Sequence, residues 1–186
     1  LLCTTGLLTY LTLYFSENIY DDMVVESIFQ AVSIGTTTGF LTSNYSNWPL
    51  FVPIMLLTAA FIGACAGSTG GGIKVIRALI LLRQGSSEIT KLIHPNAVVS
   101  IKLGKKSLDP RVSESVWGFF AVYVATFLLL IMVLLSQNND FLTAFSAAGA
   151  TLNNLGPGLG AVSENYKDIT DISKLALCGS MLLGRL

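Results

Sequence analysis

The chain has 186 residues, of which 52% are hydrophobic and 12% charged, about half the charged share of an ordinary soluble domain. That composition excludes a fully solvated globular surface, and the glycines and prolines, scattered through apolar stretches, exclude a disordered tract. Lys plus Arg and Asp plus Glu are 11 each, so net charge is zero and only the placement of the charges is informative.

The first residues, LLCTTGLLTYLTLYF, are apolar from the start. They lack the basic n-region and small-residue cleavage site of a signal peptide, and read as the remainder of a cut span. After Asp22 comes MVVESIFQAVSIGTTTGFLTSNYSNWP, in which Met23 to Ser33 can form a helix too short to cross a bilayer. Leu50 to Ala66 is a second apolar run; it breaks at Gly67 to Gly72 and resumes from Ile73 to Leu82. Val116 to Leu135 is 20 residues without a charge, about 30 Å of helix and the thickness of a hydrocarbon core. After Asp140 a second short helix, Phe141 to Ala150, leads into TLNNLGPGLGAVSENY. The chain closes on the apolar LALCGSMLLGRL, again as if a span were cut. Cys3, Cys65 and Cys178 stand singly in apolar runs, and are expected to be buried thiols, neither disulfides nor a metal site.

Eight of the 11 basic residues (Lys74, Arg77, Arg83, Lys91, Lys102, Lys105, Lys106, Arg111) fall between the broken span and the next one. The positive-inside rule makes that connection cytoplasmic. Eight of the 11 acids (Glu17, Asp21, Asp22, Glu26, Asp140, Glu164, Asp168, Asp171) fall in the two opposite connections, an acidic outer mouth suited to cations. Both outer connections are too apolar for plain loops. Each reads as a re-entrant hairpin, a half-helix descending and the chain climbing back extended, and such backbone at membrane depth must be buried in protein or line a water-filled path.

The two hairpins repeat. Gly39 and Gly156 stand 117 positions apart, and the same offset carries Leu13 to Leu130, Ala31 to Ala148 and Gly67 to Gly184. Identity between the copies is weak; the shared order of span, half-helix, extended strand and span is the stronger sign of a repeat. Thr37, Thr38 and Gly39 of the first copy fall on Asn154, Leu155 and Gly156 of the second. The predicted fold class is therefore all-α integral membrane, built of span, re-entrant pore loop, span repeats: residues 1–83, a basic connection 84–115, and residues 116–186.

The strings SIGTTTGF (Ser33 to Phe40), GACAGSTGGGIKVIR (Gly63 to Arg77), LIHPNAV (Leu92 to Val98) and ATLNNLGPGLG (Ala150 to Gly160) closely resemble the membrane subunit of bacterial Trk-type potassium-uptake systems. The likeness covers essentially the whole chain. It implies four pore repeats around one ion path, with this chain the third and fourth, in the bacterial inner membrane. It also implies a homodimer, a cytoplasmic nucleotide-binding regulatory ring as partner, and no nucleic acid, enzyme activity or bound cofactor; potassium is the transported species.

Potassium can enter a narrow filter only where oxygen ligands replace its water shell, and backbone carbonyls supply them without trapping the ion. By position those carbonyls belong to Thr37, Thr38, Gly39, Asn154, Leu155 and Gly156, with each half-helix aiming its partially negative end at the ion. The break, Gly67, Ser68, Thr69, Gly70, Gly71 and Gly72, is not a phosphate-binding loop, because Ile73 separates Gly72 from Lys74 and no strand precedes it. By resemblance it is an intramembrane loop below the filter, acting as a gate with Arg185, a costly charge in an otherwise uncharged span. On residues alone, a tight turn at either glycine, a passive kink at the break and a snorkelling Arg185 remain open. An ion-coupled secondary transporter, whose broken helices also build midplane sites, is the alternative function; a non-transporting membrane scaffold is a third. Tyr45, Trp48 and Trp117 read as interfacial anchors.

Overall fold

Apolar runs of this length leave the backbone one economical solution, helices whose peptide groups bond internally. The computed structural model describes residues 1–16, 22–63, 65, 67, 68, 70–94, 102, 103 and 106–185. The order is α1 (Leu2–Tyr14), α2 (Met23–Gly35), a 3-10 turn (Tyr45–Asn47), α3 (Phe51–Ile62), α4 (Val75–Ile93), β1 (Lys102–Leu103), β2 (Lys106–Ser107), α5 (Pro110–Ser136), α6 (Phe141–Leu152), a second 3-10 turn (Gly160–Val162) and α7 (Asp171–Leu183). The fold is all-helical except for the two-residue antiparallel pairing of β1 with β2. A helix, a short pore helix, an extended return and a further helix thus occur twice.

Local chemistry sets the helix ends. Pro110 opens α5, and the Asp109 carboxylate accepts the Arg111 N–H at 2.9 Å, capping a donor that the helix itself cannot satisfy. α5 therefore starts six residues before the charge-free run, and α4 continues past residue 83 to Ile93. At 27 residues α5 is about 40 Å long, and among the described residues it is the one helix long and apolar enough to cross a membrane. Asp140 caps α6 through the Leu142 N–H at 3.2 Å, and Thr170 caps α7 through Ser173 at 3.4 Å. The short helices α2 and α6 each run two residues beyond the sequence expectation, to Gly35 and Leu152.

Small residues bring the helices together. α6 buries Ala144, Ala147, Ala148, Gly149 and Ala150, a surface that lets neighbouring backbones approach closely. A Cβ on Gly149 would lie 3.0 Å from the Phe61 ring. Phe61, Phe127 and Phe145 meet edge to face at 5.2 and 5.4 Å, joining α3, α5 and α6 with the geometry aromatic quadrupoles favour. One apolar cluster combines Leu13, Ile34, Val52 and Leu56 with Ala150, Leu155 and Leu159 of the second unit, so the two halves interlock.

Two expectations are corrected. Cys3, Cys65 and Cys178 are exposed: Cys3 and Cys178 lie on apolar helices with this chain covering only one side, so apolar neighbours in sequence did not imply burial. Tyr45 and Trp48 are buried, at 1% and 5% exposure, because the chain returning from the first pore loop packs them inward. Of the three aromatics read as anchors, Trp117 alone is exposed.

Candidate functional site

Each half-helix ends in the same way. The Thr38 N–H donates to the Ser33 carbonyl at 2.8 Å and the Thr37 N–H to Ile34 at 3.0 Å; 117 positions on, Leu155 donates to Ala150 at 2.8 Å and Asn154 to Thr151 at 3.0 Å. This paired closure is the Schellman ending, and it requires a left-handed residue just past the helix. Thr37 (φ 58°) and Asn154 (φ 54°) fill that place, and Gly39 (φ 83°) and Gly156 (φ 105°) are left-handed two residues later. Asn tolerates this region, whereas a β-branched threonine there is strained. The carbonyl ends of α2 and α6, and with them the negative ends of their dipoles, therefore lead directly into the two loops.

The loops touch. A Cβ on Gly39 would sit 2.1 Å from the Leu155 carbonyl oxygen, a distance no side chain can occupy, so the absence of one is what admits the second strand. Around Gly156 nothing lies within 4 Å of a Cβ, and its need for glycine comes from φ alone. The Gly156 carbonyl accepts a 2.6 Å hydrogen bond from the Tyr166 hydroxyl. Tyr45, reaching across from the first unit, donates to the Gly158 carbonyl at 2.9 Å. Burial pushes the Tyr166 hydroxyl up to about 12, and burial together with the neighbouring Tyr166 raises that of Tyr45. Outside the two strands opens a cavity of about 550 Å³, with Gly39, Gly156, Asn44, Glu164 and Tyr166 on its walls. Glu164 accepts from the Asn44 amide at 3.5 Å and brings the acidic charge to this mouth.

The broken helix closes the other side. Between α3 and α4 the Ile73 N–H bonds back to the Phe61 carbonyl at 2.9 Å, pinning the far end of the break. Gly71 lies so near the end of α6 that a Cβ would come 1.9 Å from the Asn153 carbonyl. Asn153 is fully buried, accepts from the Tyr123 hydroxyl at 2.6 Å, and stands between the strand after α6 and the break. A cavity of about 250 Å³ is lined by Ser68, Gly70, Gly72 and Arg185 together with Lys74, Arg77 and Phe119. The Lys74 ammonium donates to the Ser68 carbonyl at 3.1 Å, and the Arg77 guanidinium stacks 4.2 Å over the Phe119 ring, a cation–π contact. Thr69 lies outside the described residues; Gly67 is left-handed and exposed. Lys74, Arg77, Asn153, Tyr45 and Tyr166 were not singled out as site residues from sequence. The only signal available was the positive charge of Lys74 and Arg77 so close to the glycine run.

Two half-helices ending on left-handed strands, with a broken helix beneath, define an all-helical protein of the pore-repeat architecture found in a solved membrane transporter. Residues 7–186 match the family described as TrkH, cation transport protein, and the chain belongs to that family. It is 49% identical over 179 residues to the Trk system potassium uptake protein TrkH of Salmonella typhimurium, covering 95% of this chain and 37% of that protein. It is 42% identical over 162 residues to the uptake protein TrkG of Escherichia coli, covering 87% and 33%. The crystal structure of the potassium transporter TrkH from Vibrio parahaemolyticus superimposes with a TM-score of 0.90 at 47% identity, over 99% of this chain and 40% of that one. The chain thus spans little more than a third of the length of these relatives. Family membership places it among transport proteins of the bacterial inner membrane, not among enzymes.

Proposed function

We propose that this chain supplies two of the pore-lining units of a bacterial potassium-uptake protein, residues 1–83 and 116–186 with 84–115 as the cytoplasmic connection. The carrying observation is the pair of strands with left-handed residues at Thr37 and Gly39 and at Asn154 and Gly156, meeting edge to edge. Alternating handedness turns successive peptide planes in one sense, so Thr37, Thr38, Gly39, Asn154, Leu155 and Gly156 can offer carbonyls to a dehydrated potassium ion. Glu164 and the other outer acids raise the local cation concentration.

The gate of this reading is the break from Gly67 to Gly72 with Arg185. A potassium ion about 4 Å from a guanidinium meets a repulsion of roughly 4 kcal/mol at an effective dielectric of 20. Lys74, bonded to Ser68, adds to that barrier and ties the loop to α4, through which a cytoplasmic partner could withdraw it. By family likeness that partner is a nucleotide-binding regulatory ring, and the assembly a homodimer. In liposomes carrying the full-length protein, Gly39→Ser is expected to lower potassium-over-sodium flux discrimination at least tenfold. Unchanged discrimination at equal protein level would overturn the filter assignment. Ohmic currents would support a channel, and uptake that requires a proton or sodium gradient would support the coupled transporter.

A further inference from the structure

The two filter glycines are restrained unequally. Gly39 is wedged against the Leu155 carbonyl and Pro157, 3.4 Å from where its Cβ would be. That packing and the bond from the Gly39 N–H to the Ser33 carbonyl at 3.4 Å hold it in place. Gly156 has open space on its Cβ side, and a cavity of about 190 Å³ lies behind it, toward α7. Among the described residues no other hydrogen bond to the Gly156 carbonyl is present besides that of Tyr166, at 2.6 Å. Tyr166 borders both this rear cavity and the outer vestibule, so its hydroxyl is the brace between them. The Gly39 carbonyl accepts no comparable side-chain donor among the described residues.

A carbonyl that coordinates ions must resist being drawn onto a smaller one. Sodium, with its shorter ligand distances, favours inward rotation of the peptide plane, and a donor on the outer side opposes that rotation. We propose that Tyr166 is a positioning residue for cation selectivity: its hydroxyl holds the Gly156 peptide plane outward and keeps the outer end of the second strand at potassium width. This rests on the filter reading given above. Tyr45 acts differently. Its buried hydroxyl, shared between the Gly158 carbonyl at 2.9 Å and that of Pro157 at 3.4 Å, ties the strand to the first unit beyond the filter residues.

The test compares sodium and potassium flux in liposomes containing the full-length protein as wild type, Tyr166→Phe and Gly39→Ser. Tyr166→Phe keeps the ring and removes only the donor. It is expected to raise the sodium-to-potassium flux ratio about fivefold, equivalent to the roughly 1 kcal/mol of one hydrogen bond, with potassium flux retained. Replacing Tyr166 by a ring-fluorinated tyrosine, a stronger donor of the same shape, is expected to move the ratio the opposite way. A purely structural role would not produce that reversal, and this variant decides the question if Tyr166→Phe fails to accumulate. A ratio unmoved by both Tyr166 changes but shifted by Gly39→Ser overturns the brace and leaves the filter standing. A ratio unmoved by all three overturns the filter and the brace together.

Discussion

In the loop after α2, the rising strand is tied to its own half-helix: the Ser33 hydroxyl donates to the Phe40 carbonyl at 2.6 Å and the Gln30 amide to the Ser43 carbonyl at 3.0 Å. In the loop after α6, Ser146 both donates to the Leu159 carbonyl at 3.2 Å and accepts its N–H at 2.8 Å, and Thr143 accepts the Ala161 N–H at 3.2 Å. That second strand is also held from outside by Tyr45 and Tyr166. The backbones agree position for position from Ser33 to Gly39 and from Ala150 to Gly156, while the anchoring side chains do not correspond. Any donor that reaches the carbonyl from the right side suffices, so the repeat persists in backbone geometry after its letters have diverged.

The largest contrast should come at the glycines. Gly39→Ala meets both the Leu155 carbonyl and an unfavourable φ, and is expected to lower potassium-over-sodium discrimination at least tenfold and to reduce the yield of folded protein, as read by flux and by that yield. Gly156→Ala meets only the φ penalty, about 1–2 kcal/mol, and should yield folded protein with weakened discrimination. Equal effects would break the claim that one glycine is packed and the other is not.

Next are the anchors. Ser146→Ala removes two bonds and should cost about 2 kcal/mol, Ser33→Ala one bond and about 1 kcal/mol, read as denaturation midpoints of the full-length protein in detergent. The reverse order would mean that the first loop depends more on its own helix than the second does.

Exchanging the left-handed residues sharpens the comparison further. Thr37→Asn should stabilise by a few tenths of a kcal/mol to about 1 kcal/mol through relief of the β-branched strain. Asn154→Thr should destabilise, losing both the tolerated conformation and the bond from the Asn154 amide to the Met181 carbonyl at 3.2 Å.

The smallest expected effect is that of pH. The Tyr166 hydroxyl is raised from 10.0 to about 12 by burial. A group whose folded value is raised keeps its contribution in full below pH 10 and loses it only as pH climbs through about 12. The difference in selectivity between wild type and Tyr166→Phe should therefore be constant from pH 6 to pH 9. A difference that declines across that interval would place another titrating group in the brace.

Much of this architecture was legible because its causes are local. A charge-free run from Val116 to Leu135 must be a long helix, and glycine at 39 and 156 after a short helix marks a left-handed turn. Asp109 with Pro110 was just as local a start signal, though the charge-free run alone placed the beginning of α5 too late. The braces were not legible. Tyr45 reaches a carbonyl 113 positions away and Tyr123 an amide 30 positions away, and nothing in a tyrosine's sequence neighbours distinguishes such a long-range donor from an interfacial anchor.

By itself, then, the sequence determined that the chain folds as helices in an apolar setting, that two half-helices end on glycine-centred strands, and that a broken helix lies between them. Those properties follow from hydropathy, helix length and backbone freedom, each confined to a few consecutive residues. Only the tertiary structure decided that Gly39 must lack a side chain because the Leu155 carbonyl occupies its place. Only it decided that Gly71 admits Asn153, that Lys74 and Arg77 join Arg185 around one cavity, and that the Tyr166 hydroxyl bonds to the Gly156 carbonyl. These depend on which surfaces of distant segments meet, and a one-dimensional pattern does not encode the distance between two backbones until the helices carrying them have packed.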